Sequence, residues 1–319
     1  MNIELYQSPS FDPYVNLGVE ELLLETCPKN TLRFYLWQNA HTVVIGKNQH
    51  AQSEVAITKL LEDGGRLARR SSGGGAVYHD LGNVNFTFIL EEKDYDVQKQ
   101  MNVIARALGK LGFDALVSGR NDIEINGAKV SGNAFLKRDG FGLHHGTILF
   151  NVDKEKLGKY LTVSEAKLKR KSVESVKARI MNLCDVKPVG LEEVKQACLL
   201  AVGEEYGEIT HRLPFPMEAA KEKIAFFGSE DWLYGTHFDK QLKLETYLSF
   251  GSIRWEFQSE QNKIIRARIY SDAMDVSWIE KLEKLVLGLV PDPRIIADAL
   301  ASSDMNDAAT VELIAWLRD

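Results

Sequence analysis

The sequence predicts an α+β protein: mixed, mostly antiparallel sheets with flanking helices, followed by a small α+β C-terminal unit. Two observations carry that expectation. Alternating apolar stretches recur at Thr31–Asn39, Val84–Leu90 and between Ala115 and Val152, with helices interspersed irregularly and few βαβ units, which disfavours a doubly wound sheet. After a seam near Trp232-Leu233-Tyr234-Gly235, three alternating segments are followed by three helical ones, as in a separate small unit. The expected units are 1–240 and 241–319.

Each element has a local cause. Asp12-Pro13 reads as a cap with proline in the first turn, opening a helix over YVNLGVEELLLETC with Leu17, Glu20 or Glu21, and Leu24 spaced around it. Leu32, Phe34 and Leu36 alternate along the first strand, and Thr42–Gly46 forms a second, more buried one. Gln52–Glu62 is helical and stops at Gly64-Gly65. Val84, Phe86, Phe88 and Leu90 mark one strand face; Val97, Met101, Ile104, Leu108 and Leu111 mark the apolar side of a helix ending at Gly112. Short strands follow at Ala115–Ser118, Asp122–Ile125, Lys129–Phe135 and Gly142–Val152. Leu157–Arg179 is basic and mostly helical, with Lys167, Lys169, Arg170 and Lys171 bunched together as a solvated face or a surface for an acidic partner. Helices are expected at Leu191–Tyr206 and Glu218–Phe227. Strands at Lys243–Phe250, Ser252–Gln258 and Lys263–Tyr270 precede helices at Val276–Leu289, Pro293–Leu300 and Asn306–Leu317.

Composition bounds the function. The 319 residues carry a net charge of −6, so nothing global suggests nucleic acid or an anionic membrane as partner. No apolar run approaches the roughly eighteen residues of a membrane span. The N-terminus lacks a basic start followed by an apolar core, and no secretory leader is expected. The three cysteines, Cys27, Cys184 and Cys198, are too sparse for a disulfide framework and form no CxxC pair, which suggests a reducing cytoplasm.

The stretch Arg66–Asp80, RLARRSSGGGAVYHD, stands out. Gly73, Gly74 and Gly75 allow the backbone to approach a ligand closely, and their N–H groups can form an anion-binding nest. Arg adds a permanent charge and a planar fork of donors. In an extended chain Arg70 shares a face with Ala68 and Ser72, while Arg69 falls opposite, so one arginine lines the pocket unless the chain bulges. A tight turn beside two solvated arginines is the plainer alternative.

A second constellation is SGRNDIEINGAKVSGNAF, from Ser118 to Phe135. In an extended chain Lys129 shares its face with Gly127 and Ser131, leaving space for a ligand above the cation; a hairpin turn at Asn126-Gly127 would also account for that glycine. Asn121 and Asp122 read either as contacts for ribose, phosphate or Mg²⁺, or as the end of a strand. His144 and His145 are adjacent, point opposite ways in a strand, and read as packed, hydrogen-bonded side chains rather than one metal pair. No GxxxxGK[ST], GxGxxG after a strand, HExxH or GxSxG occurs, which removes the commonest nucleotide, dehydrogenase, metalloprotease and esterase motifs.

RRSSGGGAVYHDLGN at Arg69–Asn83, GRND at Gly119–Asp122, GAKVSGNAF at Gly127–Phe135 and HHGTILFN at His144–Asn151 resemble the lipoate–protein ligase family in wording, order and spacing. NLGVEELL near the start and SVESVKARIMNL at Ser172–Leu183 extend the likeness, which is strong over roughly the first 235 residues and weaker over the C-terminal stretch. The resemblance implies a biotin/lipoate ligase-like core with a small accessory domain. It also implies a two-step reaction, in which lipoate and ATP give lipoyl-AMP and pyrophosphate, and the lipoyl group then passes to a lysine of a lipoyl carrier domain. The carrier would be a 2-oxoacid dehydrogenase subunit or the glycine-cleavage carrier protein. By the family's pattern Lys129 bridges the lipoyl carbonyl and the phosphate, and Arg70 holds the ATP phosphates. Gly75, Ala76, Val77 and Tyr78 would line the adenylate with backbone groups, beside Gly73, Gly74 and Asn121. Leu17, Val19, Val44, Ser72 and His79 line the lipoate slot, and Asp122 contacts Mg²⁺ through ATP. Two rivals share the fold: an octanoyl transferase working through a cysteine thioester, and a non-catalytic lipoyl-domain binding protein.

Overall fold

The computed structural model describes residues 1–119, 121–162, 180–235 and 242–319. The elements run β1 (Asn2–Gln7), α1 (Pro13–Glu25), β2 (Thr31–Trp37), β3 (Thr42–Ile45), α2 (Ala51–Glu54), α3 (Ile57–Glu62), β4 (Arg66–Arg69), β5 (Val77–His79) and β6 (Asn83–Glu91). They continue with α4 (Val97–Lys110), β7 (Ala115–Ser118), β8 (Asp122–Ile125), β9 (Ala128–Arg138), β10 (Phe141–Leu149), α5 (Lys154–Tyr160), α6 (Leu191–Tyr206), β11 (His211–Arg212), α7 (Lys221–Phe227) and α8 (Glu230–Tyr234). The C-terminal unit contains β12 (Leu242–Leu248), β13 (Gly251–Glu260), β14 (Lys263–Ser271), α9 (Val276–Leu285), α10 (Pro293–Ala301) and α11 (Ala308–Arg318).

The fold is mixed α+β with one large sheet. Eight strands are ordered β11-β1-β2-β6-β10-β9-β8-β7; β1 runs parallel to β2 and β11, and the other pairings are antiparallel. Both faces of its centre are covered, so every residue of β2 is buried rather than every second one. Leu32, Phe34 and Leu36 face a core completed by Met101, Ile104 and Leu108 of α4 and by Val194 and Cys198 of α6. Tyr35 and Trp37 face the opposite core with Leu17, Leu23 and Leu24 of α1 and Phe227 of α7. A second sheet, β4-β3-β5, lies over that side.

Most local expectations hold. Asp12 caps α1 with Pro13 in its first turn, its carboxylate accepting from the Tyr14 N–H. Asn126 and Gly127 make the β8–β9 turn at φ 53° and 76°, as an Asn-Gly hairpin requires. Two differences stand out. The strand β1 was not anticipated from its sequence. The expected helix at Gln52–Glu62 is two short helices, because Val55 leaves helical geometry to bridge Leu161. The basic cluster at Lys167, Lys169, Arg170 and Lys171 lies outside the described residues.

The C-terminal unit has its own core, Ile253, Trp255, Phe257, Ile269, Ile279, Leu282, Leu300 and Leu313 among it. It touches the first unit beside the glycine-rich segment: the Gly74 N–H donates to Ala273 O at 3.1 Å, and the Ser271 N–H donates to Asn48 O at 2.8 Å.

Candidate active site

A cleft of about 640 Å³ opens between the large sheet and the β4-β3-β5 sheet. Its floor crosses the strands of the large sheet. Trp37 pairs with Asn85, Asn85 with Thr147, Gly146 with Asn133, and Gly132 with Asp122. At about 4.8 Å per strand, the three steps from β2 to β9 span roughly 14 Å. Trp37, Leu17, Val44, Val77 and His79 gather at one end, and Lys129, Asn121 and Gly132 at the other.

Lys129 owes its position to a bulge. Glu124 pairs with Lys129 but Ile123 pairs with Ser131, leaving Val130 as the extra residue. The alternation therefore shifts by one. Ser131, expected beside Lys129, is instead fully buried and accepts from Asn133 Nδ2. Gly132 takes its place: a Cβ there would lie 2.7 Å from Lys129 Cε and 2.8 Å from Nζ, so the lysine occupies the space the glycine leaves. Lys129 Nζ is 2.7 Å from Asp122 Oδ1, with both side chains about a third exposed (29% and 32%). Asn121 also lines the cleft, and its Nδ2 donates to Asn133 O at 2.8 Å.

The two arginines part as the strand alternation requires. Arg69 turns away, donating to the carbonyls of Trp232, Leu233, Gly46, Lys47 and Gln49. Arg70 lines the cleft. Burial lowers both guanidinium pKa values to about 10, leaving both charged at neutral pH. Arg70 is engaged by its own loop: Nη2 donates to Gly73 O at 2.6 Å and Gly75 O at 2.8 Å, and Nε to Ser72 Oγ at 3.1 Å.

The glycine segment does not present an open row of amides. Gly75, Ala76 and Val77 line the cleft, whereas Gly73 and Gly74 pack against Ala273 and Met274 and do not line it. The expected nest is thus closed at Gly74, whose amide already has Ala273 O. Tyr78 faces the other side of its strand, against His41 and Tyr160, so its ring does not reach the cleft. Ser72 is fully buried behind the cleft rather than in its lining; its Oγ lies 2.7 Å from His145 Nε2.

Of the residues expected in the apolar slot, Leu17, Val44 and His79 line the cleft. Val19 does not; it is buried in the adjacent core, since two residues along a helix turn the side chain by about 200°. Burial, with Arg70 and His145 adding, drives the His79 pKa down to about 3 and leaves its imidazole neutral. Trp37, Asn85, Asn133, His145 and Thr147 line the cleft without having been singled out for it. Glu20 supports them: its carboxylate lies 3.0 Å from His145 Nδ1 and accepts from Thr87 Oγ1 at 2.6 Å. The spacing from Leu17 on one helix face was the available signal for Glu20; Trp37 and Asn85 needed the strand register.

Residues 12–203 match the model of the lipoyl protein ligase A/B catalytic domain, and residues 237–317 match that of the bacterial lipoate protein ligase C-terminus. The chain belongs to the lipoyl protein ligase family. A lipoate-protein ligase A of Psychrobacter cryohalolentis is 34% identical to it over 100% of this chain and 97% of its own length. The crystal structure of P. falciparum LipL1 in complex with lipoate superposes with a TM-score of 0.87 at 28% identity, over 100% of this chain and 99% of that one. A lipoate-protein ligase A bound with ATP gives 0.65 at 26% identity over 73% of this chain and 98% of that one.

The cleft offers no thiol for a thioester route: no cysteine lines it. Cys27 and Cys198 are buried, which raises their thiols to about 11 and about 12, far from the thiolate a nucleophile needs. No group of three or more His, Cys, Asp or Glu among the described residues forms a metal site. No described helix is long and apolar enough to cross a membrane.

Proposed function

We propose that this ligase activates lipoate with ATP to lipoyl-AMP and transfers the lipoyl group to a lysine of a lipoyl carrier domain. The observation that carries this reading is the polarity of the cleft: Lys129 and Asn121 stand at one end, Arg70, Gly75 and Ala76 line its wall, and an apolar slot about as long as an extended medium-chain acid leads from the lysine to Trp37, Val77 and His79. In this reading the acid lies with its carboxylate at Lys129 and its ring near Trp37 and His79.

A carboxylate is a poor electrophile, and esterification with AMP gives it a good leaving group. Negative charge gathers on the α-phosphate and the attacking carboxylate oxygen in the first transition state, so preorganised donors there supply the catalysis. We assign Lys129 to bridge those two groups and Arg70 to the phosphate side. The backbone of Gly75, Ala76 and Val77, together with Asn121, would flank the adenylate. Engaging phosphate through Gly74 or the Arg70 fork requires exchange of the Ala273 and loop-carbonyl partners described above.

Magnesium would arrive on the ATP phosphates, and an ATP-borne Mg²⁺ asks only one or two carboxylates of the protein. Asp122 fits as that single contact once Lys129 turns from it to the substrate. The acceptor would be a lipoyl domain of a 2-oxoacid dehydrogenase or the glycine-cleavage carrier, the setting is the cytoplasm, and the functional division falls at 240/241. Pyrophosphate release that requires both lipoate and ATP, followed by a lipoyl mass shift on a lipoyl domain, tests the proposal. Absence of both would refute it.

A further inference from the structure

We propose that His79 is a selectivity element whose Nε2–H donates a hydrogen bond to a ring sulfur of the bound acid, favouring a dithiolane tail over a sulfur-free one. The inference rests on reading the Trp37–His79 end of the cleft as the seat of the tail.

A chain of hydrogen bonds fixes which nitrogen carries the proton. Asn16 reaches the backbone carbonyls of Ser10 at 3.2 Å and Gln38 at 2.7 Å, which only accept, so the atom on that side, facing Asn39, is its Nδ2, and its Oδ1 accepts from Ser8 Oγ and Tyr35 Oη. That Nδ2 donates to Asn39 Oδ1 at 2.9 Å and to Gln38 O at 2.7 Å. Asn39 must then present its own Nδ2 to His79 Nδ1, 3.2 Å away. An amide nitrogen only donates, so Nδ1 accepts, and a neutral imidazole has its single proton on Nε2. That Nε2 is buried and has no hydrogen-bond partner among the described residues.

Its surroundings are otherwise those of an apolar slot. The His79 ring stands edge-on to Trp37, with centroids 6.2 Å apart, and Leu17, Val44 and Val77 line the same end. Asn85, opposite Trp37 on the next strand, lines the cleft with a buried and likewise unpartnered Nδ2. Donors placed without acceptors in an apolar wall disfavour a purely hydrocarbon occupant, because a buried N–H left unpaired costs more than a formed bond contributes. A dithiolane has the same five-membered outline as a cyclopentane but brings sulfur, a weak acceptor.

Lipoate, cyclopentylpentanoate (the same ring with both sulfurs replaced by carbon) and octanoate, each assayed for pyrophosphate release with ATP, separate ring shape from sulfur. The wild type should favour lipoate over the cyclopentyl acid by about tenfold in kcat/KM. His79→Leu should bring the two acids to near parity, and His79→Gln, which keeps a donor close to the Nε2 position, should restore the preference. General damage to the site lowers all three rates and leaves their ratios unchanged. Equal wild-type rates for lipoate and the cyclopentyl acid, or an unchanged ratio in His79→Leu, would overturn the proposal. Should His79→Leu fail to fold, nitrogen-15 spectra of the wild type decide: the Nε2–H signal should move with lipoate and not with the cyclopentyl acid, and a proton found on Nδ1 would refute the assignment. No turnover of any acid would sink the ligase reading instead.

Discussion

Ser72 Oγ lies 2.7 Å from His145 Nε2, and that contact joins the glycine-rich segment to the floor of the cleft. On one side Ser72 accepts from Arg70 Nε; on the other, His145 Nδ1 is held 3.0 Å from both carboxylate oxygens of Glu20. Four polar side chains from α1, the Arg70 loop and β10 thus set the angle at which Arg70 meets the cleft. Ser72→Ala leaves Arg70 Nε one partner short and His145 Nε2 unpaired in a buried site. We expect a stability loss of about 1–3 kcal/mol and slower adenylation, read from urea midpoints and pyrophosphate release. Wild-type stability in this variant would show that the chain of contacts positions nothing.

Lys129 poses the opposite case. Its side chain and that of Asp122 are each about a third exposed, so their pairing contributes little to the fold. Lys129→Ala should melt at nearly the wild-type temperature and lose roughly 10²–10³ in adenylation rate, the scale of one transition-state donor. Asp122→Asn should also fold normally but need more Mg²⁺ for half-maximal rate. An unchanged Mg²⁺ requirement would remove Asp122 from the metal.

The glycines are not equivalent, which makes a graded test. Gly74 has φ +89°, and a Cβ there would sit 3.0 Å from both Arg70 Nη2 and Met274 Sδ; at Gly75 a Cβ meets nothing within 4 Å. Gly74→Val should therefore weaken ATP binding and loosen the contact with the C-terminal unit, whereas Gly75→Ala should leave the fold intact. Titration with a fluorescent ATP analogue checks both. Undiminished affinity in Gly74→Val would count against the role given to this segment.

The distance between what the sequence foretold and what the structure contains follows the range of the interactions involved. Capping of α1 by Asp12, the Asn126-Gly127 turn and the separation of Arg69 from Arg70 are decided by residues a few positions apart, and alternation suffices to read them. The bulge at Val130 depends on how β9 pairs with β8, and it moved the neighbour of Lys129 from Ser131 to Gly132. Trp37 and Asn85 meet only because β2 lies beside β6, so neither was visible as part of a site. Val19 was expected in the slot beside Leu17, although helix geometry turns it away. Gly74 is held by Ala273, almost two hundred residues away, and no local pattern reports such a contact.

Buried neutral histidines give the protein an acid-sensitive fold. Burial drives the His79 pKa from 6.5 to about 3 and pushes His144 well below its usual value, with His145 adding to both. The unfolded chain takes up a proton at each of these sites as pH falls through about 6.5, while the folded chain refuses it until far lower pH. Unfolding is therefore accompanied by proton uptake in that window, and stability falls as pH falls, by about 1.4 kcal/mol per pH unit for each group fully in the window. Carboxylates steepen the same limb, so the test is a difference between two proteins that share them. His79→Gln removes one of the two titrations, and its urea stability should decline less steeply than that of the wild type between about pH 6 and about pH 4, with the gap growing by about 1.4 kcal/mol per unit. Parallel curves would mean that His79 is protonated in the folded protein, and the tautomer argument for its Nε2–H would fall with them.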